Sequence, residues 1–113
     1  TNHPYEKWDN FPLERERLLK LLGHTAKNKT LIAISGDRHR SGIYQNEDFV
    51  EITASSLNKA ASQNIETDPL LLGQTYPMKN YGTLDIEPNK NIITVSIFDQ
   101  YGTKLNSKII NIY

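Results

Sequence analysis

Apolar residues in the first part of the 113-residue chain gather in a stretch that opens with Pro12, continues with Glu14 and Glu16, and carries Leu18, Leu19, Leu21 and Leu22 before Gly23. Proline suits a first helical turn and acidic side chains suit the positive end of the helix dipole, so the pattern predicts a helix over Pro12–Leu22. An eleven-residue helix is marginal in water, so its leucines should be held by packing, with Leu18, Leu19 and Leu22 mostly buried near the next apolar run. Residues 1–11, polar and aromatic, with Pro4 and Pro12 framing the stretch that holds Tyr5, Trp8, Asp9, Asn10 and Phe11, read as a loop.

Leu31, Ile32, Ala33 and Ile34 form a continuous apolar run, too short for a helix and lacking the alternation of a strand with one wet face. A strand buried on both faces is the expectation. Ser35 to Arg40 break it with polar residues, and a second strand is expected from Phe49 to Thr53. Residues 54–80, with Pro69 and Pro77, show little periodicity. The last third is β-rich: Tyr81–Glu87, Asn91–Asp99 and Thr103–Tyr113 are separated by Pro88-Asn89-Lys90 and Gln100-Tyr101-Gly102, which predicts an antiparallel meander. Within it Ile93, Val95 and Ile97 alternate with Thr94 and Ser96, the pattern of a half-buried sheet. The class predicted is α+β, as a single domain or a fragment of one.

Composition narrows the functional classes. Thirteen basic and thirteen acidic side chains cancel, and no long Lys/Arg run occurs, so broad binding to nucleic acid or an acidic membrane is disfavoured. The absence of cysteine removes disulfides, Cys-ligated metals and thiol nucleophiles from consideration. No run of about 18 apolar residues predicts a spanning helix. The low apolar share of 37% and the opening at Thr1 suggest a piece of something larger.

The candidate chemistry lies in Ile34-Ser35-Gly36-Asp37-Arg38-His39. Asp37 and His39, two apart beyond a strand, point the same way if the backbone stays extended, and a carboxylate with an imidazole suits a hard or borderline metal ion. Gly36 would allow an unusual turn beside them. The alternative is a polar turn with a surface histidine, since metal sites generally need three or more ligands.

Three segments together, Trp8-Asp9-Asn10-Phe11-Pro12-Leu13-Glu14-Arg15-Glu16-Arg17-Leu18-Leu19, Ile34-Ser35-Gly36-Asp37-Arg38-His39 and Phe49-Val50-Glu51-Ile52-Thr53-Ala54-Ser55-Ser56-Leu57-Asn58, resemble the C-terminal part of the alkaline phosphatase D (PhoD-like) metallophosphatases. The resemblance covers residues 5–58, a motif region within 1–58, whereas 81–113 matches only as a β-meander. It implies the C-terminal portion of a calcineurin-like two-sheet fold, with one or two helices and a C-terminal antiparallel meander. It also implies hydrolysis of a phosphate ester, mono- or diester, by calcium, iron, zinc or manganese ions. His39 would be the last metal ligand, and Asp37 would bind a second metal or orient a metal-bound water. The family's other ligands lie in a preceding part of the parent chain, which becomes the implied partner. Alone, this chain is expected to be inactive. A periplasmic, extracellular or cell-surface location is suggested by the same resemblance.

Trp8 and Asp9 either line the substrate pocket, as the resemblance suggests, or fix a loop. Arg38 and Arg40 either attract the phosphate or are solvated arginines. Glu14, Arg15, Glu16 and Arg17 read as a solvated helix face, and His3 and His24 as surface residues. The competing reading is a non-catalytic β-rich interaction module.

Overall fold

The computed structural model describes residues 8–61 and 66–112. His3, Pro4 and Tyr5, and the Tyr113 end of the last expected strand, lie outside the described residues. The chain is α+β: one helix, α1 (Pro12–Ala26), precedes two three-stranded sheets. Sheet A holds β1 (Ile32–Ser35), β2 (Ser41–Gln45) and β3 (Val50–Ala54) in the order β1-β3-β2. Sheet B holds β4 (Asn80–Glu87), β5 (Ile92–Asp99) and β6 (Lys104–Asn111) in sequential order.

Helix α1 begins as its sequence predicts, with Pro12 in the first turn and Glu14 following, but it runs through Gly23 to Ala26. Gly23 does not end the helix. It is buried where the helix passes Asp48, and a Cβ there would lie 2.8 Å from Asp48 Oδ2, which the Asp48 side chain would have to move to accommodate. Leu18, Leu19 and Leu22 are only half-buried, and Leu13 and Leu21 are exposed. The leucines spread around the helix and do not form one stripe, so no single docking face covers them all.

Sheet A departs from expectation at both ends. Its most buried strand is β2, which the apolar pattern missed because only Ile43 and Tyr44 are apolar, while Ser41 and Gly42 are buried beside them. A β-hairpin joins β2 to β3, with Asn46 Oδ1 accepting the Asp48 and Phe49 amides, both at 2.8 Å. β1 is not buried on both faces. It pairs in parallel with β3 (Ile34 opposite Ile52) and lies at the sheet edge, where Ile34 is 72% exposed and Ile52 only 3%.

Sheet B is the expected meander, extended by one residue at Asn80. Val95 and Ile97 point inward from β5 onto Ile43, Val50 and Ile52 of sheet A, and Tyr76 joins them. The sheets approach most closely at Gly82, where a Cβ would meet Ala54 Cβ at 3.0 Å and Ile52 Cδ1 at 3.3 Å. A side chain at that position would need Ala54 or Ile52 to give by a few tenths of an ångström. Residues 70–76, without regular structure, lie along the outer edge of β2, where Ser41 and Tyr76 exchange backbone hydrogen bonds at 3.0 and 2.9 Å. The Tyr76 hydroxyl ties this segment to sheet B by donating to the Leu105 carbonyl at 2.8 Å.

Candidate functional site

Strand order fixes the setting of the Gly36–Arg40 loop. To pass from β1 to β2, the chain must step over β3, which lies between them, so the loop crosses the C-terminal end of the parallel pair. In open sheets with parallel strands that end is a common place for a site. Ser55, just past β3, holds the crossing: its hydroxyl accepts from the Arg38 amide at 3.0 Å and donates to the Arg40 carbonyl at 3.0 Å. One side chain thus fastens the loop at two points.

The backbone inside that clamp is unusual. Asp37 (φ 64°) and His39 (φ 53°) both adopt the left-handed conformation, which costs an L-residue other than glycine about 1 kcal/mol or more. Gly36 is not among the positive-φ residues, so the turn it was expected to supply falls on its neighbours. Exposure alternates along the loop. Asp37 and His39 are exposed, whereas Arg38 and Arg40 are partly covered and turned to Glu66. Arg38 Nη2 bonds Glu66 Oε1, and Arg40 Nη1 lies 3.5 Å from Glu66 Oε2. The two arginines are therefore engaged by a carboxylate in this state.

Behind the loop, the outer face of sheet A carries a polar ladder. Ser35 donates to Glu51 Oε1 at 2.7 Å and lies 2.6 Å from Thr53 Oγ1. Its single proton goes to Glu51, so Thr53 is the donor in the second contact. Tyr44 is buried nearby, and its hydroxyl has no hydrogen-bond partner among the described residues. Burial pushes its phenol up to about 12; Arg38 opposes the rise, and Glu66, Asp68 and Glu51 add to it.

At the other end of the chain, Trp8 and Asp9 form a 3-10 turn (Trp8–Asn10) at the head of α1. Trp8 is exposed, and Asp9 pairs with Arg15 Nε at 2.9 Å, which fastens the turn to the helix. His24 is an exposed residue of the last turn of α1. Among the described residues no three His, Cys, Asp or Glu side chains gather as a metal centre would need. Ser55, Glu66 and Tyr44 were not singled out by sequence. Ser55 was readable only as part of the Thr53-Ala54-Ser55-Ser56 segment, and Glu66 and Tyr44 carry no local pattern that marks them.

Comparison with models of protein families, with curated proteins and with solved structures finds no match for this chain.

Proposed function

We propose that this chain is the C-terminal portion of a metal-dependent phosphoric-ester hydrolase of calcineurin-like, PhoD-like architecture. His39 serves as a metal ligand, Asp37 as a second ligand or as the group that orients a metal-bound water, and the chain alone is inactive. The observation that supports the reading best is the clamped loop at the end of β1. Two adjacent-but-one chemical residues are held in left-handed conformations and displayed to solvent, and Ser55 bonds both sides of the crossing. A bound metal ion would lower the pKa of a water and offset charge on a phosphate. Arg38 and Arg40 lie on the other side of the loop, and Glu66 must release them before either can bind a phosphate oxygen.

The test is a titration of the 113-residue chain with Mn2+, followed by NMR line broadening. Broadening centred on residues 37–39 and lost in His39→Ala supports the assignment; broadening centred on His24 or spread over the acidic surface refutes it. Hydrolysis of a chromogenic phosphate ester by the chain, supplied with calcium, iron, zinc or manganese, should stay at the background rate. Turnover that vanishes in His39→Ala would show a complete site in this chain.

A non-catalytic interaction module is the second reading, and Asp37 and His39, short of a third ligand among the described residues, favour it. It predicts no metal-dependent change at His39.

A further inference from the structure

The two faces of sheet A differ in chemistry. Register places Ile32, Ile34, Ile43, Val50 and Ile52 on the side towards sheet B, and Ser35, Gly42, Tyr44, Glu51 and Thr53 on the other. A polar sheet face ordinarily meets water, yet here Thr53 is 1% exposed and Tyr44 4%. Arg38 and Glu66 lie near enough to this face for their charges to act on the Tyr44 phenol. Both are largely covered themselves, with side chains 13% and 18% exposed.

Tyr44 is turned towards the same place. A Cβ at Gly42 would lie 3.1 Å from the Tyr44 hydroxyl, so the tyrosine lies back along β2 over the glycine, with its hydroxyl towards the Arg40 end of the strand. Hydrogen bonding there is one-sided. Arg38 Nε and Nη1 and the Tyr44 hydroxyl are buried donors without a partner among the described residues, and the unfilled acceptor beside them is Glu66 Oε2. Glu66 spans the two guanidinium groups poorly. Its Oε1 bonds Arg38 through Nη2 alone, and its Oε2 stands 3.5 Å from Arg40 Nη1. A carboxylate that fitted would hold one guanidinium through two parallel bonds.

We infer that Arg38 and Tyr44 form a seat for a tetrahedral oxyanion of the phosphate class, and that Glu66 is the built-in competitor for it. A tetrahedral anion directs its oxygens out of one plane, so one edge can take the Arg38 fork while another oxygen reaches the Tyr44 hydroxyl and its charge faces Arg40. An acidic side chain from a preceding part of a longer chain would bring the same planar pair of oxygens that Glu66 already supplies, and would leave the same donors unfilled. A water would bring no charge to set against two covered arginines once Glu66 leaves. The anion is not the ester that a metal at His39 would attack. Asp37 and His39 are exposed on one side of the loop, whereas Arg38 and Arg40 turn to the other. The seat is therefore independent of metal binding at His39.

The probe is inorganic phosphate, titrated into the full 113-residue chain in metal-free buffer at constant ionic strength, with the Arg38 Nε–H and Tyr44 ring signals followed by NMR. Glu66→Ala should bind phosphate about tenfold or more tightly than the parent, because the parent is competent only in the fraction of molecules whose Glu66 has swung away. In that background Arg38→Ala should abolish binding, and Tyr44→Phe should weaken it about fivefold, the loss of one hydrogen bond. Acetate, which repeats the planar carboxylate, should not bind. Methyl phosphate separates two sources of the anion: binding equal to phosphate assigns the end of a monoester, weaker binding assigns the free ion, and either keeps the seat. If Glu66→Ala does not fold, Glu66→Gln carries the same expectation, since it keeps the shape and drops the charge. Equal phosphate affinity in the parent and the Glu66 variants, an equal response to acetate, or binding that survives the loss of Arg38 would overturn the inference. Without metal in the buffer, this result and the Mn2+ test at His39 can fail separately.

Discussion

Ile34 and Ile52 are register partners on the same face of the same sheet, and they differ in cover: one is 72% exposed, the other 3%. Truncating each to alanine is therefore a direct measure of what sheet B contributes. Ile52→Ala removes a side chain enclosed by Val95, Ile97, Ile43 and Val50, and a buried Ile→Ala change costs about 2–5 kcal/mol. Ile34→Ala removes a side chain that keeps little burial to lose. Full burial of such a side chain is worth roughly 1.5–3 kcal/mol, so the burial lost plus the weaker strand preference of alanine should cost below ~1 kcal/mol. The gap is thus about 1 kcal/mol or more, or roughly 4–8 °C or more in Tm for a domain near this size. Urea unfolding followed by far-ultraviolet circular dichroism measures it, with the urea dependence checked for constancy between variants. Equal costs would refute the reasoning, because they would mean that Ile34 is as well covered in solution as Ile52. A shortfall at Ile52 would mean that the two sheets do not share the interior described here.

Ser55→Ala should destabilise the fold by about 1–2 kcal/mol, since the Arg38 amide and Arg40 carbonyl both lose a partner, and should weaken any Mn2+ broadening at His39; unchanged broadening would remove Ser55 from the positioning of the loop. His39→Gly should stabilise the chain by up to ~1 kcal/mol in thermal unfolding while abolishing the metal response, whereas a loss of stability would show that the left-handed backbone is not strained. Tyr44→Phe should be neutral or stabilising by equilibrium unfolding near pH 7, because it removes a buried hydroxyl without a partner; a cost above ~1 kcal/mol would reveal one. The raised Tyr44 pKa gives stability that is complete below pH ~10, the ordinary tyrosine value, and is lost as pH climbs towards 12. Unfolding across that window should therefore be shallower with pH in Tyr44→Phe.

Much of the β-meander was legible because its signals are local. Alternation in β5 and the Pro88-Asn89-Lys90 turn act within a few residues, and the last turn closes on its own side chain, with Asp99 Oδ1 accepting the Tyr101 and Thr103 amides at 2.9 and 2.8 Å. The N-terminal half was less legible because its signals are tertiary. Gly23 looks like a helix stop in sequence, yet the helix runs on through it and passes Asp48, twenty-five residues on. β2 carries too few apolar residues to announce itself, and its outer edge is covered by residues 70–76, a stretch without periodicity. The continuous apolar run of β1 did predict a strand, but continuity was taken to mean two covered faces, and the described residues supply less cover than the run calls for.

The site follows the same division, and the division bears on what the chain is for. Asp37 and His39 were found by spacing, which needs only neighbours in sequence, while the groups that hold their loop, Ser55 and Glu66, come from distant segments that no spacing rule reaches. The holding groups are also what separates an arranged loop from a plain turn. Asp37 and His39 hold left-handed backbones in that loop, and Ser55 bonds both sides of the crossing.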